Sequence, residues 1–364
     1  MTVLLVVLAV GFAYSMGAHY TGACMGRPHA LSALSARRAL WLMAPLALIG
    51  ATFASQGVEH TVSHDLLTGA GLSVDGLIIV IGIAFGLTSA FNMARIPTST
   101  IQILVFSVVG AGLAAGIGVH WSTITTLAII WVAAPVVAAG AGYLLTRALD
   151  HVPSVRVEAR ALDRSLTGTG GPPVVPSSSA VEAAQATPGP VGRPSPAPST
   201  AGGWLAGALI AVGALASFAM GGNDVANATG SLVGTHTFSP LVAGLVGGGG
   251  LAVGVLTWGR PLLRRVAFDI VTVDRPMATA AQLVQAAVVL AAVGFGFFTS
   301  MNQALVGAMT GTAAARGRHT VHAATLLGIV RGWLIGPGAG IALAYAITRL
   351  VAAGAGVHTV VAPP

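Results

Sequence analysis

The feature that most restricts the fold is a series of apolar segments, each close to the length that crosses the hydrocarbon core of a bilayer. A transmembrane helix needs about 20 predominantly apolar residues. Ten such segments can be placed, five in each half of the chain. In the first half they lie at 3–22, 40–58, 74–93, 100–119 and 123–148, and in the second at 203–222, 238–257, 279–298, 301–316 and 321–350. The pattern predicts an all-α polytopic membrane protein.

The scarcity of charged residues supports this class. Only 7% of the residues are charged, whereas a soluble domain has about 25%, so the chain cannot cover a water-facing surface. The apolar runs are long and lack the alternation of barrel strands. The net charge of +7 comes from 17 arginines placed mainly between the apolar segments. This distribution indicates a lipid bilayer, and not a nucleic acid, as the partner of the chain.

A composition break separates the two halves. Residues 150–202 contain a charged stretch followed by a segment rich in Pro, Ser, Gly and Ala. Such a segment has too little apolar surface to form a packed core. We expect a disordered cytoplasmic linker there, between a first membrane repeat at 1–149 and a second membrane repeat at 203–364.

The two halves are related by an internal duplication. Residues of the first half fall on identical residues of the second at offsets of 201 to 204, as in Met16/Met220, Gly17/Gly221, Thr98/Thr299, Ser99/Ser300, Gln102/Gln303, Gly110/Gly311, Trp131/Trp333 and Pro135/Pro337. Five spans per repeat is an odd number, so the second copy must enter the membrane upside down. We therefore expect two inverted-topology repeats with discontinuous helices, or with re-entrant segments after Pro97 and Thr299.

The arginines agree with this topology when the N-terminus lies outside the cell. Fifteen of the 17 then lie on the cytoplasmic side, with Arg27 in the first cytoplasmic loop. Arg349 lies outside, and Arg331 is the one cation within a predicted span. Because cytoplasmic loops carry an excess of basic residues, we predict a multi-pass protein of the inner (cytoplasmic) membrane, with the linker in the cytoplasm.

One stretch places a carboxylate among apolar residues. Residues 217–230 read SFAMGGNDVANATG. Asp224 is assigned to the predicted span near 203–222, whose ends are placed to within several residues. The other acidic residues fall in loops or at predicted helix ends: Glu59, Asp65, Asp75, Asp150, Glu158, Asp163, Glu182, Asp269 and Asp274. An intramembrane carboxylate is costly and typical of an ion or proton pathway. The pair Gly221 and Gly222 predicts a broken helix here, although Asp224 as a helix-end or N-cap residue near the interface is an alternative.

The segment GGNDVANA at 221–228 resembles the G-A-N-D-V-A-N-A signature of the inorganic phosphate transporter (PiT) family. That family has two inverted repeats, each with one such motif and one P-x-S-T-type segment. PTSTIQ at 97–102 and, more loosely, FTSMNQ at 298–303 match the latter. The resemblance implies that these positions bind the oxyanion and the coupling cation: Asn223, Asp224, Asn227, Thr98, Ser99, Thr100, Thr299 and Ser300. Further candidates are Gln102, Asn302 and Gln303 of the same segments, and His19.

The first-half motif departs from the family pattern. GAHYTGAC at 17–24 has His19, Tyr20 and Ala23 where the family has Asn, Asp and Asn. A cation site that needs two carboxylates then has one, which favours H⁺ coupling through Asp224 over Na⁺ coupling. His19 either takes part in proton transfer or is a neutral hydrogen-bonding residue of the core. The degenerate motif also resembles the bacterial sulfate permease branch of the family, which has G-A-S-G-A-A-A-S-M-G at this place.

The resemblance implies a secondary active symporter that imports an inorganic oxyanion. Phosphate is favoured over sulfate, because Asp224 can accept a hydrogen bond from a protonated phosphate oxygen and sulfate offers no such donor at neutral pH. A transport-inactive membrane scaffold is a further alternative. An intramembrane protease is disfavoured, because no predicted span holds a second carboxylate. We expect no cofactor beyond the coupling cation, and a homodimer is one option for the assembly.

Overall fold

The structure is a computed structural model that describes residues 1–69, 71–157, 200–265, 273–317, 323–356 and 359–362. Within these ranges the regular elements are helices, in agreement with the predicted all-α class. They are α1 (Thr2–His19), α2 (Thr21–Ala30), α3 (Ala36–Ala54), α4 (Gln56–His64), α5 (Val74–Ala94), α6 (Thr100–Ala115), α7 (Trp121–Leu149), α8 (Thr200–Gly234), α9 (Pro240–Arg265), α10 (Arg275–Gly294), α11 (Met301–Ala315) and α12 (Ala323–Ala355). Most of the predicted linker, at 158–199, lies outside the described residues.

Each of the ten apolar segments corresponds to a helix, but not all of the helices are full spans. Seven spans in the described part of the chain are long and apolar enough to cross a membrane, and the pair α3 and α4 makes an eighth if it counts as one bent span. Helices α6 and α11 are too short for full spans, and they follow Pro97 and Thr299, where re-entrant segments are the predicted alternative. They have 16 and 15 residues, which gives about 24 Å or less of helix against a hydrocarbon core of about 30 Å.

The predicted helix break at the glycine pair is wrong. Helix α8 continues without interruption from Thr200 to Gly234. A methyl group on Gly221 would lie 2.0 Å from the carbonyl oxygen of Ala47, and one on Gly222 would lie 2.8 Å from Cβ of Ala54. The glycines therefore allow α8 to pack closely against α3, as small residues do in membrane helix pairs.

The breaks occur in the first half instead. Tyr20 separates α1 from α2, and Ser55 separates α3 from α4, whose axes differ by 64°. The hydroxyl of Ser55 donates to the carbonyl oxygen of Ala51 at 2.6 Å, so it occupies a backbone acceptor next to the bend. Discontinuous helices are therefore present, as predicted, but the breaks lie at Tyr20 and Ser55 and not at the glycine pair.

Close backbone contacts fix the directions of four helices. Tyr14 lies against Gly254 and Val10 against Gly250, so α1 runs parallel to α9. By the same type of contact, Phe218 lies against Gly50 and Gly222 against Ala54, so α8 runs parallel to α3. Helix α9 runs antiparallel to α3, because Gly244 contacts Ala51 and Gly259 contacts Leu40. It follows that α1 and α8, which begin the two halves, run in opposite directions.

The contacts between the halves are also reciprocal. Gly17 on α1 faces the carbonyl of Leu251 on α9, and the equivalent Gly221 on α8 faces the carbonyl of the equivalent Ala47 on α3. Gly110 and Gly311 repeat the relation, facing the carbonyls of Ile341 and Ala139, respectively. Each half thus packs against the other through the same positions, as a two-fold relation requires. The opposite insertion of the halves into a membrane stays a prediction.

Three charged residues lie in places that the sequence did not predict. Glu59 and Arg27 are both fully buried. The bend before α4 turns Glu59 toward α8, where the hydroxyl of Thr229 donates to Oε1 at 2.8 Å, so Asp224 is not the one buried carboxylate. Arg27 lies in α2 and not in a loop. The side chain of Arg331, expected within a span, is exposed at the surface of α12.

Candidate functional site

The predicted site residues are buried together at the centre of the helix bundle. They lie at the end of α1, in the middle of α8, and at the N-terminal ends of α6 and α11. None of their side chains is more than 7% exposed, and most are fully buried. This set comprises His19, Thr98, Ser99, Thr100, Gln102, Asn223, Asp224, Asn227, Thr299, Ser300, Asn302 and Gln303.

Asn223 holds the peptide segment that precedes α11. Its Oδ1 accepts from the backbone N–H of Thr299 at 3.0 Å, and its Nδ2 donates to the carbonyl oxygen of Thr299 at 2.8 Å. Both polar groups of one peptide segment are therefore paired by one amide side chain. Because a buried backbone group without a partner is costly, this contact fixes α8 to the start of α11.

His19 makes the equivalent contact in the first half. Its Nε2 lies 3.3 Å from the backbone nitrogen and 3.1 Å from the carbonyl oxygen of Thr98, the residue equivalent to Thr299. The amide of Asn302 donates to the same carbonyl oxygen at 2.9 Å, so α11 also contacts the start of α6. An imidazole ring thus takes the place of the Asn223 amide.

The hydrogen bonds of His19 indicate its tautomer. The amide nitrogen of Asn92 donates to the carbonyl oxygen of Ser15 at 2.8 Å, so Oδ1 of Asn92 faces His19 as an acceptor at 2.6 Å. Nδ1 of His19 must then carry a proton. Nε2 accepts from Thr98 N–H, and the carbonyl oxygen of Thr98 already receives a donor from Asn302. The contacts of this ring are those of a neutral, structural imidazole.

The starts of α6 and α11 are built alike. Ser99 is the N-cap of α6 and Ser300 is the N-cap of α11, and each hydroxyl accepts from the backbone N–H three residues later. Serine is a favoured N-cap because its oxygen pairs one of the N–H groups left free in the first turn. Helix N-termini carry partial positive charge and bind anions. Two such termini meet in this region of the bundle.

Tyr20 connects the first half to the buried carboxylate. Its hydroxyl lies 2.9 Å from the hydroxyl of Thr100, and its side chain also contacts Asp224. Oδ2 of Asp224 accepts from Nδ2 of Asn223 at 3.1 Å. Oδ1 of Asp224 has no hydrogen-bond partner among the described residues.

Other polar atoms of the predicted site residues are also unpartnered within the described part of the chain. Both side-chain polar atoms of Asn227 lack a hydrogen bond, as do the hydroxyl of Thr299 and the amide oxygens of Gln102 and Gln303. Buried polar atoms are nearly always paired with protein, water or ligand. The set contains carboxylate, amide and hydroxyl groups, which suit a small ion and its counter-ion.

A cavity of about 230 Å³ leads to this region from one end of the bundle. Its wall includes the exposed His64 and Gly69 at the surface and the fully buried Asn227 in the interior. Side chains of α6 and of the C-terminal part of α8 line it between these points, among them Leu104, Val108, Ser231 and Thr235. The cavity has room for water, and Asn227 is part of its wall.

Two residues of this network were not among the predicted site residues. In the sequence, Tyr20 stands out only as the loss of a carboxylate, although a tyrosine within an apolar span signals a buried hydroxyl that needs a partner. Asn92 lies at the end of a predicted span in the apolar run before Pro97. An amide in such a run is a signal of the same type.

Curated proteins of similar sequence are transporters of inorganic anions. The chain is 25% identical over 415 residues to inorganic phosphate transporter 2-1, chloroplastic, of Arabidopsis thaliana, covering 94% of this chain and 71% of that protein. It is 22% identical over 347 residues to sulfate permease CysP of Bacillus subtilis (strain 168), covering 95% of this chain and 86% of that protein.

A solved structure described as "The sodium-dependent phosphate transporter" has the same fold. The TM-score is 0.80 at 22% sequence identity, covering 96% of this chain and 99% of that chain. The model of the phosphate transporter family (PHO4) matches residues 16–344, which include both motif segments and both helix N-termini of the site. The chain therefore belongs to the phosphate transporter family, as the GGNDVANA motif predicts, and is a multi-pass membrane transporter and not an enzyme.

Proposed function

We propose that this protein is a secondary active symporter that imports inorganic phosphate together with a cation, and that the cation is H⁺. The observation that carries the proposal is the arrangement at the bundle centre. Two capped helix N-termini, held in place by Asn223 and His19, lie with a buried carboxylate that has one oxygen unpartnered among the described residues. Family membership supports the phosphate substrate.

The helix N-termini supply the donors that an oxyanion needs. The first N–H groups of α6 and α11 donate to phosphate oxygens, and so does the hydroxyl of Thr299, which has no partner among the described residues. The hydroxyl of Thr98 already donates to the carbonyl oxygen of Gly332, and that of Thr100 pairs with Tyr20. Oδ1 of Asp224 accepts from a protonated phosphate oxygen or binds the cation. The amide of Asn227 supplies both a hydrogen-bond donor and an acceptor at the point where the cavity meets the site.

Coupling to H⁺ is the proposal for the cation. In the first half Tyr20 stands where the family motif has a second carboxylate, and its hydroxyl contacts Thr100 and Asp224. One carboxylate is enough to bind and release a proton, whereas Na⁺ requires several oxygen ligands. The amide oxygens of Gln102, Asn227 and Gln303, which lack partners within the described ranges, are the ligands that Na⁺ would use, and this is the alternative.

Transport proceeds by alternating access. The cavity reaches Asn227 from one end of the bundle in the present conformation, and the reciprocal packing of the two halves allows the same opening at the other end after they rock. We place the protein in the inner membrane, with the N-terminus outside and the linker in the cytoplasm. The cavity then opens to the outside, since it lies at the C-terminal end of α8.

Sulfate is the second candidate substrate. The loss of the first-half carboxylate at Tyr20 favours it, and the chain is similar over nearly its whole length to a sulfate permease. A site for the fully ionised sulfate requires Asp224 to be protonated or bound to a cation, because two anions repel each other.

Uptake of labelled phosphate and labelled sulfate by proteoliposomes tests the proposal. We expect phosphate uptake that is driven by an inwardly directed proton gradient and is independent of Na⁺. Sulfate uptake that excess phosphate does not inhibit would identify sulfate as the substrate in place of phosphate. Uptake that depends on Na⁺ would identify Na⁺ as the coupling cation in place of H⁺. A protein that moves neither anion in counterflow would be a scaffold, and the proposed function would then be wrong.

A further inference from the structure

Arg27 is a fully buried cation without an anionic partner among the residues that the structure describes. Its guanidinium Nη2 contacts the sulfur of Met309 on α11, while Nε and Nη1 have no hydrogen-bond partner there. The side chain has 0% exposure. A guanidinium in this setting has lost its hydration and gained no compensating negative charge. Two free donors on a planar cation match the oxygens of a tetrahedral anion.

The internal duplication shows which position of the second half corresponds to Arg27. At an offset of 204, Arg27 is equivalent to Ser231, and at an offset of 201, Met309 is equivalent to Val108. Ser231 and Val108 both line the cavity that reaches Asn227. Arg27 and Met309 are therefore in contact, whereas the equivalent residues Ser231 and Val108 face the cavity.

These two places lie toward opposite ends of the bundle. Arg27 is in the last turn of α2, Ser231 is in the last turn of α8, and α1 and α8 run in opposite directions. A second contact closes the Arg27 end. At the offset of 201 that relates the first residues of α5 and α10, Val74 and Arg275, Gln282 is equivalent to the cavity-lining Ile81. Gln282 donates to the carbonyl oxygen of Cys24. Among the described residues, a cavity therefore lies at one end of the bundle, while the equivalent positions at the other end are in contact.

We infer that Arg27 is an oxyanion-binding residue at the end of the bundle opposite the cavity, an inference that rests on the proposed function. When the protein changes to the opposite-facing conformation, α2 and α11 separate as the equivalent segments of α8 and α6 are separated here. The guanidinium then exchanges the Met309 contact for the oxygens of the anion. It holds the anion between the central site and the solvent on that face alone, because the equivalent residue on the other face is the neutral Ser231.

The test measures anion exchange from both faces. Right-side-out and inside-out membrane vesicles give the half-saturating phosphate concentration in counterflow at each face, for wild type, Arg27→Met and Arg27→Lys. For Arg27→Met we expect a rise of about tenfold or more at the face away from the cavity and a change within about twofold at the cavity face. Arg27→Lys should lie between wild type and Arg27→Met, since it keeps the charge and loses the planar donor pair. Arg331→Met, which removes an exposed arginine from α12, is the matched control and should behave as wild type.

A chemical rescue separates anion binding from a structural role. In a Cys24→Ala background, Arg27→Cys is treated with a methanethiosulfonate reagent that adds an ammonium group or with one that adds a sulfonate group. We expect the ammonium to restore affinity at the affected face, the sulfonate not to do so, and phosphate to slow the modification. A residue that only supports packing would show no dependence on the sign of the added charge.

The outcomes distinguish the inference from the function on which it rests. If wild type exchanges neither phosphate nor sulfate, the proposed function is wrong and the inference falls with it. If wild type exchanges phosphate and Arg27→Met is unchanged at both faces, the inference alone is wrong. An equal loss at both faces, with no rescue by the ammonium reagent, would also overturn it, because Arg27 would then be structural.

Discussion

The peptide segment before α6 is held by the imidazole of His19, and the equivalent segment before α11 is held by the amide of Asn223. The two side chains differ in size and chemistry, but each accepts a hydrogen bond from the backbone N–H of an equivalent threonine, Thr98 or Thr299. The carbonyl oxygen of that threonine is paired by Asn223 in the second half and by Asn302 in the first. The next residue along the chain behaves differently. Tyr20 is a neutral hydroxyl that contacts Thr100, whereas Asp224 is a carboxylate with an oxygen unpartnered among the described residues.

This difference separates the architecture of the site from its ion chemistry. The halves keep equivalent contacts where backbone must be held, and they diverge where charge is placed. The divergence continues at Ala23 and Asn227, which are equivalent positions without and with a polar side chain. The buried carboxylate of the site thus belongs to the second half, and the equivalent position of the first half carries a neutral hydroxyl. Under the proposed coupling to H⁺, the second half would carry the proton.

The largest expected effect comes from removing the charge that only the second half has. Asp224→Asn should reduce coupled phosphate uptake by about 100-fold or more, because the variant can neither bind a proton nor balance a cation. Uptake by proteoliposomes is the measurement, and Asp75→Asn in the first turn of α5, which is not among the residues lining the cavity, is the control. Uptake within about twofold of wild type would show that Asp224 has no role in the mechanism. The difference between Tyr20 and Asp224 would then have no consequence for transport.

The next effect tests the equivalence of the packing. A methyl group on Gly17 or on Gly221 would lie 2.1 Å or 2.0 Å from a facing carbonyl oxygen, so each Gly→Ala variant must separate two helices. We expect each to destabilise the protein by about 1–3 kcal/mol, seen as a lower melting temperature in detergent. Gly249→Ala, where a methyl group meets open space, is the control. A large loss in one variant and none in the other would show that the halves do not share their packing.

The sequence predicted the helices and the members of the site better than it predicted their local geometry. Apolar length located ten of the twelve described helices, and the duplication paired Thr98 with Thr299. The breaks could not be predicted, because a Gly pair in a span is compatible with a bend or with a close contact, and only the carbonyl of Ala47 decides between them. Burial of Arg27 and Glu59 was missed because both lie at the ends of apolar runs, where sequence does not show which way a side chain turns.

A smaller effect should follow from removing either backbone contact. Asn223→Ala leaves the N–H and carbonyl groups of Thr299 without their partner, and His19→Ala does the same to the N–H of Thr98. We expect each variant to lose transport affinity by about tenfold, the cost of leaving a buried hydrogen-bonding group unpaired. Half-saturating phosphate concentrations measure this, with Thr126→Ala on the surface of α7 as control. Loss in the Asn223 variant alone would mean that the two contacts are not equivalent.

The smallest effect is expected where one half is given the residue of the other. In His19→Asn, the new amide can pair the N–H and carbonyl of Thr98 as Asn223 pairs those of Thr299, so transport should stay within about threefold of wild type. The shorter side chain loses the hydrogen bond to Asn92, which accounts for the small reduction. The dependence of uptake on pH should be unchanged, because the imidazole has the contacts of a neutral ring and asparagine does not titrate. A shifted pH profile in His19→Asn, with affinity preserved, would instead assign His19 a role in proton transfer, and the first half would then contribute to coupling as well as to shape.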